Sequence, residues 1–275
     1  MKRLILVITM FLTFLCVPAL FAASLDLKDL GKAANLEGKG FGGVLVGAIY
    51  NPGITEVNKV LESYGFPKFG DVSLGLGGMG FGVIHNKFVI GGTGFANMPL
   101  TTEAKINGTN ISAIMSGGYG FFEIGYNFMG DSNLLLSPIL GLGGGGTALV
   151  FLSKDDKTYD FGDVVKNPIT REFSIIYGGF GLELGFLMLI SVIDFGQKEV
   201  ELNNITLKKG GMEISISNVT VKVKNSMDIG LKVSYFYVFQ VDDPSVAGEP
   251  QYSGHNIFAS LFIGFGGESG SYQKN

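Results

Sequence analysis

The sequence predicts an all-β fold: an antiparallel up-and-down transmembrane β-barrel of about ten strands, with eight as the alternative and one short helix after the first strand. The first observation is the stretch 171–190, REFSIIYGGFGLELGFLMLI. Taken two residues at a time, one face carries Ser174, Ile176, Gly178, Phe180, Leu182, Leu184, Phe186, Met188 and Ile190, and the other has Tyr177, Gly179, Gly181, Glu183 and Gly185 through its middle. Side chains alternate across a strand, so this segment shows an apolar environment one face and a crowded or polar interior the other. A buried helix is opposed by Gly178, Gly179, Gly181 and Gly185, since each glycine costs a helix interior roughly 0.5–1 kcal/mol relative to alanine.

The second observation is composition. Among 275 residues there are 43 glycines and 23 phenylalanines, no tryptophan, and only 16% charged residues, with a mean hydropathy of +0.35. That is too apolar and too weakly charged for a disordered chain. Beyond the first residues no stretch of roughly 18 or more apolar residues runs free of charge or glycine, so the hydrophobicity belongs to glycine-punctuated strands and not to spanning helices. A net charge of −4 offers no basic footprint for nucleic acid. The third observation is the alternation of tight turns with longer polar connections, which a barrel with two unlike rims requires.

Taken in order, Lys2 and Arg3 precede the apolar run 4–15, and 18–23 ends in small residues before Ser24, the layout of a cleaved secretory signal peptide over 1–23. Cys16 lies inside that segment, so the mature chain 24–275 has no thiol and no disulfide. After a polar lead-in, 24–38, the barrel is expected over 39–266 as a single domain, followed by a tail, 267–275. The first strand is 39–49, stopped by Asn51, Pro52 and Gly53. Ile54, Val57, Val60, Leu61 and Tyr64 then recur at helical spacing, predicting a short amphipathic helix that caps the barrel mouth or lies against it.

Strands are expected at 72–84 and 88–98 around a turn at 85–87, and at 112–128 and 134–152 around a turn at 130–133. Longer loops are expected at 99–111, 153–170 and 241–255. After 190 the chain becomes more polar. An alternating hairpin turns at 208–211 and shifts phase near Asn218, a further turn lies at 224–227, and 228–240 and 256–265 supply the last two strands. Ten strands result if the hairpin joins the barrel, eight if it stands outside.

Three charges sit inside otherwise apolar strands: Glu123, Glu183 and Lys232. A basic residue facing lipid near the midplane would cost roughly 2–4 kcal/mol and an acid less, so all three are expected to face the interior as one polar network, either an ion-pair plug or a gate. Glycine runs such as 75–82 and 143–146 match G-x-G-x-x-G only loosely and open no helix, which excludes nucleotide binding and assigns them to relief of crowding. His85 and His255 lack metal-ligand spacing, and no nucleophile has a neighbouring base, so neither a metal, a cofactor nor a catalytic residue is assigned.

The signal segment, the alternating glycine- and aromatic-rich strands and the turn asymmetry together resemble the small bacterial outer-membrane β-barrel class over 39–266. The resemblance implies residence in the outer membrane with lipid as the immediate partner, short turns at 85–87, 130–133 and 224–227 on the periplasmic side, and 50–68, 99–111, 153–170 and 241–255 outside. It implies a structural, adhesive or narrow-pore role, with a small solute or surface ligand as a further partner. Members commonly end on a strand with a terminal aromatic, whereas Phe265 here is followed by GGESGSYQKN. The alternatives are a secreted or periplasmic soluble barrel that binds a small apolar ligand, and an outer-membrane hydrolase in which Asp242, Asp243 and His255 would resemble the acid and histidine site of outer-membrane aspartyl proteases.

Overall fold

The computed structural model describes residues 38–129, 133–154, 172–202, 205–209, 212–216, 219–240 and 252–273. In chain order these form β1 (Gly38–Tyr50), α1 (Ile54–Ser63), β2 (Val72–Ile84), β3 (Phe88–Ile106), β4 (Thr109–Tyr126), β5 (Leu134–Lys154), β6 (Glu172–Leu202), β7 (Ile205–Lys209), β8 (Met212–Ile216), β9 (Val219–Gln240) and β10 (His255–Gln273). Eight strands close a barrel in the order β1-β10-β9-β6-β5-β4-β3-β2, while β7 and β8 form a two-stranded sheet of their own. The fold is therefore the all-β antiparallel barrel with one helix after the first strand, with eight wall strands and not ten. The hairpin strands have five residues each. At about 3.3 Å per residue they reach about 17 Å, well short of the 13-residue wall strands β1 and β2.

The barrel belongs to a compact unit of Gly38–Gln197 and Lys224–Glu268, and the β7–β8 hairpin to a second unit. Within the barrel the alternation of 171–190 is realised as expected. Ile176, Leu184 and Ile190 are exposed on the outer wall, and Tyr177, Glu183, Leu187 and Leu189 are buried inside.

Three expected boundaries differ. Residues 99–111 are not a loop: β3 runs on to Ile106, past a register shift between Asn97 and Leu100, and β4 returns from Thr109. The reversal is made by Asn107 (φ 50°) and Gly108 (φ 84°), the left-handed pair that a two-residue hairpin turn of the right twist demands. Residues 224–227 make no turn, because β9 is continuous from Val219 to Gln240. The polar residues Ser226 and Asp228 there face inward at one mouth of the barrel, so their polarity marks an interior environment and not a reversal. The last strand continues to Gln273 and takes in most of the expected tail. The turn at 130–133 and the loops at 153–170 and 241–255 fall largely outside the described residues.

Helix α1 caps the barrel mouth. It begins after Pro52 with Glu56 in its first turn and ends at Tyr64, followed by Gly65 at φ 85°, the left-handed residue that lets the chain leave a helix. Ile54, Val57 and Leu61 are buried with Ala113, Met115, Leu149, Ile175 and Tyr177, the inward-facing residues of β4, β5 and β6 at this end. Tyr64, expected on the apolar face, is 67% exposed. The return from the helix is pinned by buried Asn58, whose Nδ2 donates to the Phe69 carbonyl at 2.9 Å while its Oδ1 accepts from the Phe69 amide at 2.8 Å. Asn58→Ala leaves both groups of Phe69 without a partner, at about 1–3 kcal/mol. Limited proteolysis is expected to nick the 64–71 segment of that variant faster than in the parent; equal cleavage would remove the clamp from the account.

Candidate functional site

The barrel interior is solid. Phe41, Phe81, Phe95, Phe121, Phe236, Phe258 and Phe262 converge from the inward faces of β1, β2, β3, β4, β9 and β10. The Phe95 and Phe258 rings stack at 4.1 Å between centroids, and Phe236 lies 5.6 Å from Phe95, 4.8 Å from Tyr119 and 5.4 Å from Phe121. Glycines make room for these rings. A Cβ at Gly91 would come within 2.5 Å of the Phe81 ring, and one at Gly145 within 2.7 Å of the Tyr119 ring. Toward α1 the packing ends in hydroxyls: Tyr119 and Thr147 are 2.7 Å apart, Thr147 donates to the Tyr252 hydroxyl at 3.2 Å, and Asn51 on the helix side also donates to Tyr252.

Glu123, Glu183 and Lys232 are brought together within this packing. Lys232 Nζ donates to Glu123 Oε1 and to Thr93 Oγ1, both at 2.9 Å, and lies 2.8 Å from Glu183 Oε1. The Lys232, Glu123 and Glu183 side chains are fully buried. Sheet register explains the meeting. Glu123 pairs with Gly91 on one side and Gly141 on the other, and Gly141 pairs with Glu183. A Cβ at Gly141 would sit 2.8 Å from Glu183 Oε2 and 3.3 Å from Glu123 Cγ, so a glycine between the two acids lets both turn inward. Thr93 and Gly141 carry no charge to draw attention in the sequence. Their part follows only from register.

A second polar group lies at the mouth opposite α1. Ser191 and Ser226 donate to Asp228 Oδ1 at 2.6 and 3.1 Å, and Lys39 donates to Ser191 at 2.7 Å and lies 3.7 Å from Asp228. Next to it is a cavity of about 300 Å³ lined by residues that include Lys39, Asn133, Asp194, Lys224, Ser226 and Glu268. Asp194 and Lys224 pair at 3.0 Å on its exposed rim. The Gly196 amide, followed by Lys224, holds the Asp194 carboxyl below its ordinary value. The contribution of that pair to stability is present above the ordinary carboxylate range and is lost as pH falls through the lowered folded value.

The two histidines are not brought together. His85 (φ 52°) makes the β2–β3 turn, whereas His255 opens β10 at the other end, with its Nδ1 against the Tyr235 hydroxyl and its ring 4.6 Å from that of Tyr237. Asp242 and Asp243 lie outside the described residues. Among the described residues no group of three or more His, Cys, Asp and Glu is placed to hold a metal ion.

This geometry defines a small closed antiparallel β-barrel with a solid interior. No family model matches the chain, and no curated protein matches it. Among solved structures it is similar to Ail, the attachment invasion locus protein of Yersinia pestis, at 11% identity and TM-score 0.35 over 85% of this chain and 99% of that one. It is also similar to the outer membrane protease OmpT of Escherichia coli, at 10% identity and TM-score 0.26 over 86% and 97%. A third likeness is to the outer membrane protein OprG of Pseudomonas aeruginosa, at 15% identity and TM-score 0.25 over 85% and 96%. At scores this low none of the three fixes a role for this chain.

Proposed function

We propose that this chain is an integral outer-membrane β-barrel, exported through its N-terminal segment, with a structural, adhesive or narrow-pore role and no catalysis. One observation carries the reading. The outward positions of all eight wall strands, over 40–50, 72–84, 88–98, 114–126, 136–150, 174–192, 229–239 and 255–265, include no Asp, Glu, Lys or Arg. They present instead exposed large apolar side chains such as Val44, Leu76, Ile124, Leu142, Leu184, Val233 and Leu261. A water-soluble barrel would have to hydrate that whole wall, whereas a bilayer matches it. The height also fits. β1 and β2 have 13 residues each. At about 3.3 Å per residue and a tilt of about 40°, such strands rise about 30 Å, the depth of a hydrocarbon core.

Within this reading the solid interior favours a structural or adhesive role over passive diffusion. Phe236, Phe258, Phe262, Leu45 and Leu187 are shut off from solvent within the barrel, and α1 closes one mouth. The same packing leaves no room for an apolar ligand at that level. On this reading the rim with α1 faces outside the cell, and the mouth with Lys39 and Lys224 faces the periplasm, where a small polar solute on that side would meet the barrel.

Fractionation and labelling test this. The protein is expected in the outer-membrane fraction, extracted by detergent and migrating differently on gels before and after heating. A cysteine at exposed Lys59 on α1 is expected to react with an impermeant reagent on intact cells, and one at Lys87 in the β2–β3 turn only after the envelope is opened. Release by osmotic shock would overturn the membrane reading. Membrane residence with the labelling pattern reversed would overturn only the sidedness.

A further inference from the structure

The buried cluster is unbalanced in charge and in hydrogen bonds. It sets two carboxylates against one ammonium, with all three side chains fully buried. Lys232 has three N–H donors. Two are spent on Thr93 Oγ1 and Glu123 Oε1, and the contact of 2.8 Å with Glu183 Oε1 lacks hydrogen-bond alignment. Glu123 Oε2 and both Glu183 oxygens therefore have no donor, and nearby on β9 the hydroxyl of Ser234 has no partner either. Among the described residues the other titratable groups on the inward faces of the wall strands are Tyr119, Tyr177 and Asp228, with Lys39, Lys224 and Glu268 at the mouth, where Lys39 lies by Asp228 and Lys224 pairs with Asp194.

We propose that the cluster of Glu123, Glu183 and Lys232 is a binding site for one further monovalent cation, a proton or an alkali ion, held by the carboxylate oxygens left without a hydrogen bond. An isolated charge in a low-dielectric interior is compensated or is not tolerated, and one ammonium compensates one carboxylate. All three side chains are fully buried, so the occupant is sealed in and acts in stability and assembly, not in transport. The two acids are not equivalent. Glu123 is hydrogen-bonded to the lysine and Glu183 is not, which makes Glu183 the principal ligand of the extra cation.

The test uses the full-length protein folded in detergent. Glu183→Gln removes the surplus charge and adds an amide donor, so its thermal midpoint is expected at or above that of the parent, where Lys232→Met falls well below it. Should Glu183→Gln fail to fold, Glu123→Gln carries the same expectation. A fall in the midpoint of either glutamine variant comparable to that of Lys232→Met would overturn the proposal. Two further readings separate the sources of charge. A proton is expected to show as a carboxylic-acid carbonyl band in the infrared spectrum that Glu183→Gln or Glu123→Gln removes. An alkali ion is expected to show as a midpoint that rises with sodium or potassium chloride in the parent but not in the variant. Absence of both signatures would overturn the proposal.

Discussion

Lys232→Met is expected to destabilise the folded barrel by about 3–5 kcal/mol, the range found when one partner is removed from a buried ion pair and the other is left uncompensated. Methionine keeps much of the length and apolar stem of lysine, so the loss is electrostatic and not a cavity. Two carboxylates would then share a fully buried site without the lysine ammonium, and Thr93 would lose the donor that now reaches it at 2.9 Å. Lys87→Met is the control. Its side chain stands in the exposed β2–β3 turn, and a surface change of this kind stays within about 0.5 kcal/mol. The two are compared by thermal midpoint in detergent, read from the heat-dependent gel shift. Equal melting would remove the buried network from the account of stability. In planar bilayers a silent trace for both parent and variant is expected from the solid interior, and steady conductance in the parent would instead favour the pore.

Gly143→Ala is expected to be among the most damaging single methyl groups in the barrel, and Gly80→Ala among the least. Both residues are strand glycines, and in sequence they are indistinguishable. A Cβ at Gly143 would lie 2.0 Å from the Gly120 carbonyl oxygen and 2.7 Å from Phe121 Cα, and these are backbone atoms that cannot turn aside. Accommodating it means moving β4 against β5, and overpacking of this kind costs about 1–3 kcal/mol or more. A Cβ at Gly80 points outward and meets nothing closer than the Phe41 carbonyl oxygen at 3.8 Å. There the loss of unfolded-state freedom gives a neutral or slightly stabilising change of about 0.4–1 kcal/mol. Folding yield and thermal midpoint measured side by side decide it, and similar values for the two variants would show that the interior yields more readily than its contacts imply.

Much of the wall was legible before any coordinates. The alternation of 171–190, the inward placement of Glu123, Glu183 and Lys232, and the amphipathic pattern of α1 all follow from local periodicity and the cost of setting charge against lipid. These are properties a residue carries with its immediate neighbours. The turn at Asn107–Gly108 was equally local, and its dipeptide is a strong hairpin signal; the polar residues around it conceal it because a strand that continues past the apolar wall has no need to stay apolar. The same confusion of polarity with reversal hid the continuity of β9 through 224–227.

Pattern in the sequence thus determined the class of fold, the identity of the inward and outward faces and the three charges that belong inside. The tertiary structure alone decided that eight strands and not ten close the ring, that α1 plugs the mouth, and that Gly141 sits between the two acids while Thr93 shares their lysine. The reason is that closure, plugging and register are set by which distant strands pair. A shift of one residue in the pairing of β4 or β6 would turn Glu123 or Glu183 to the opposite face, and no local pattern records that choice.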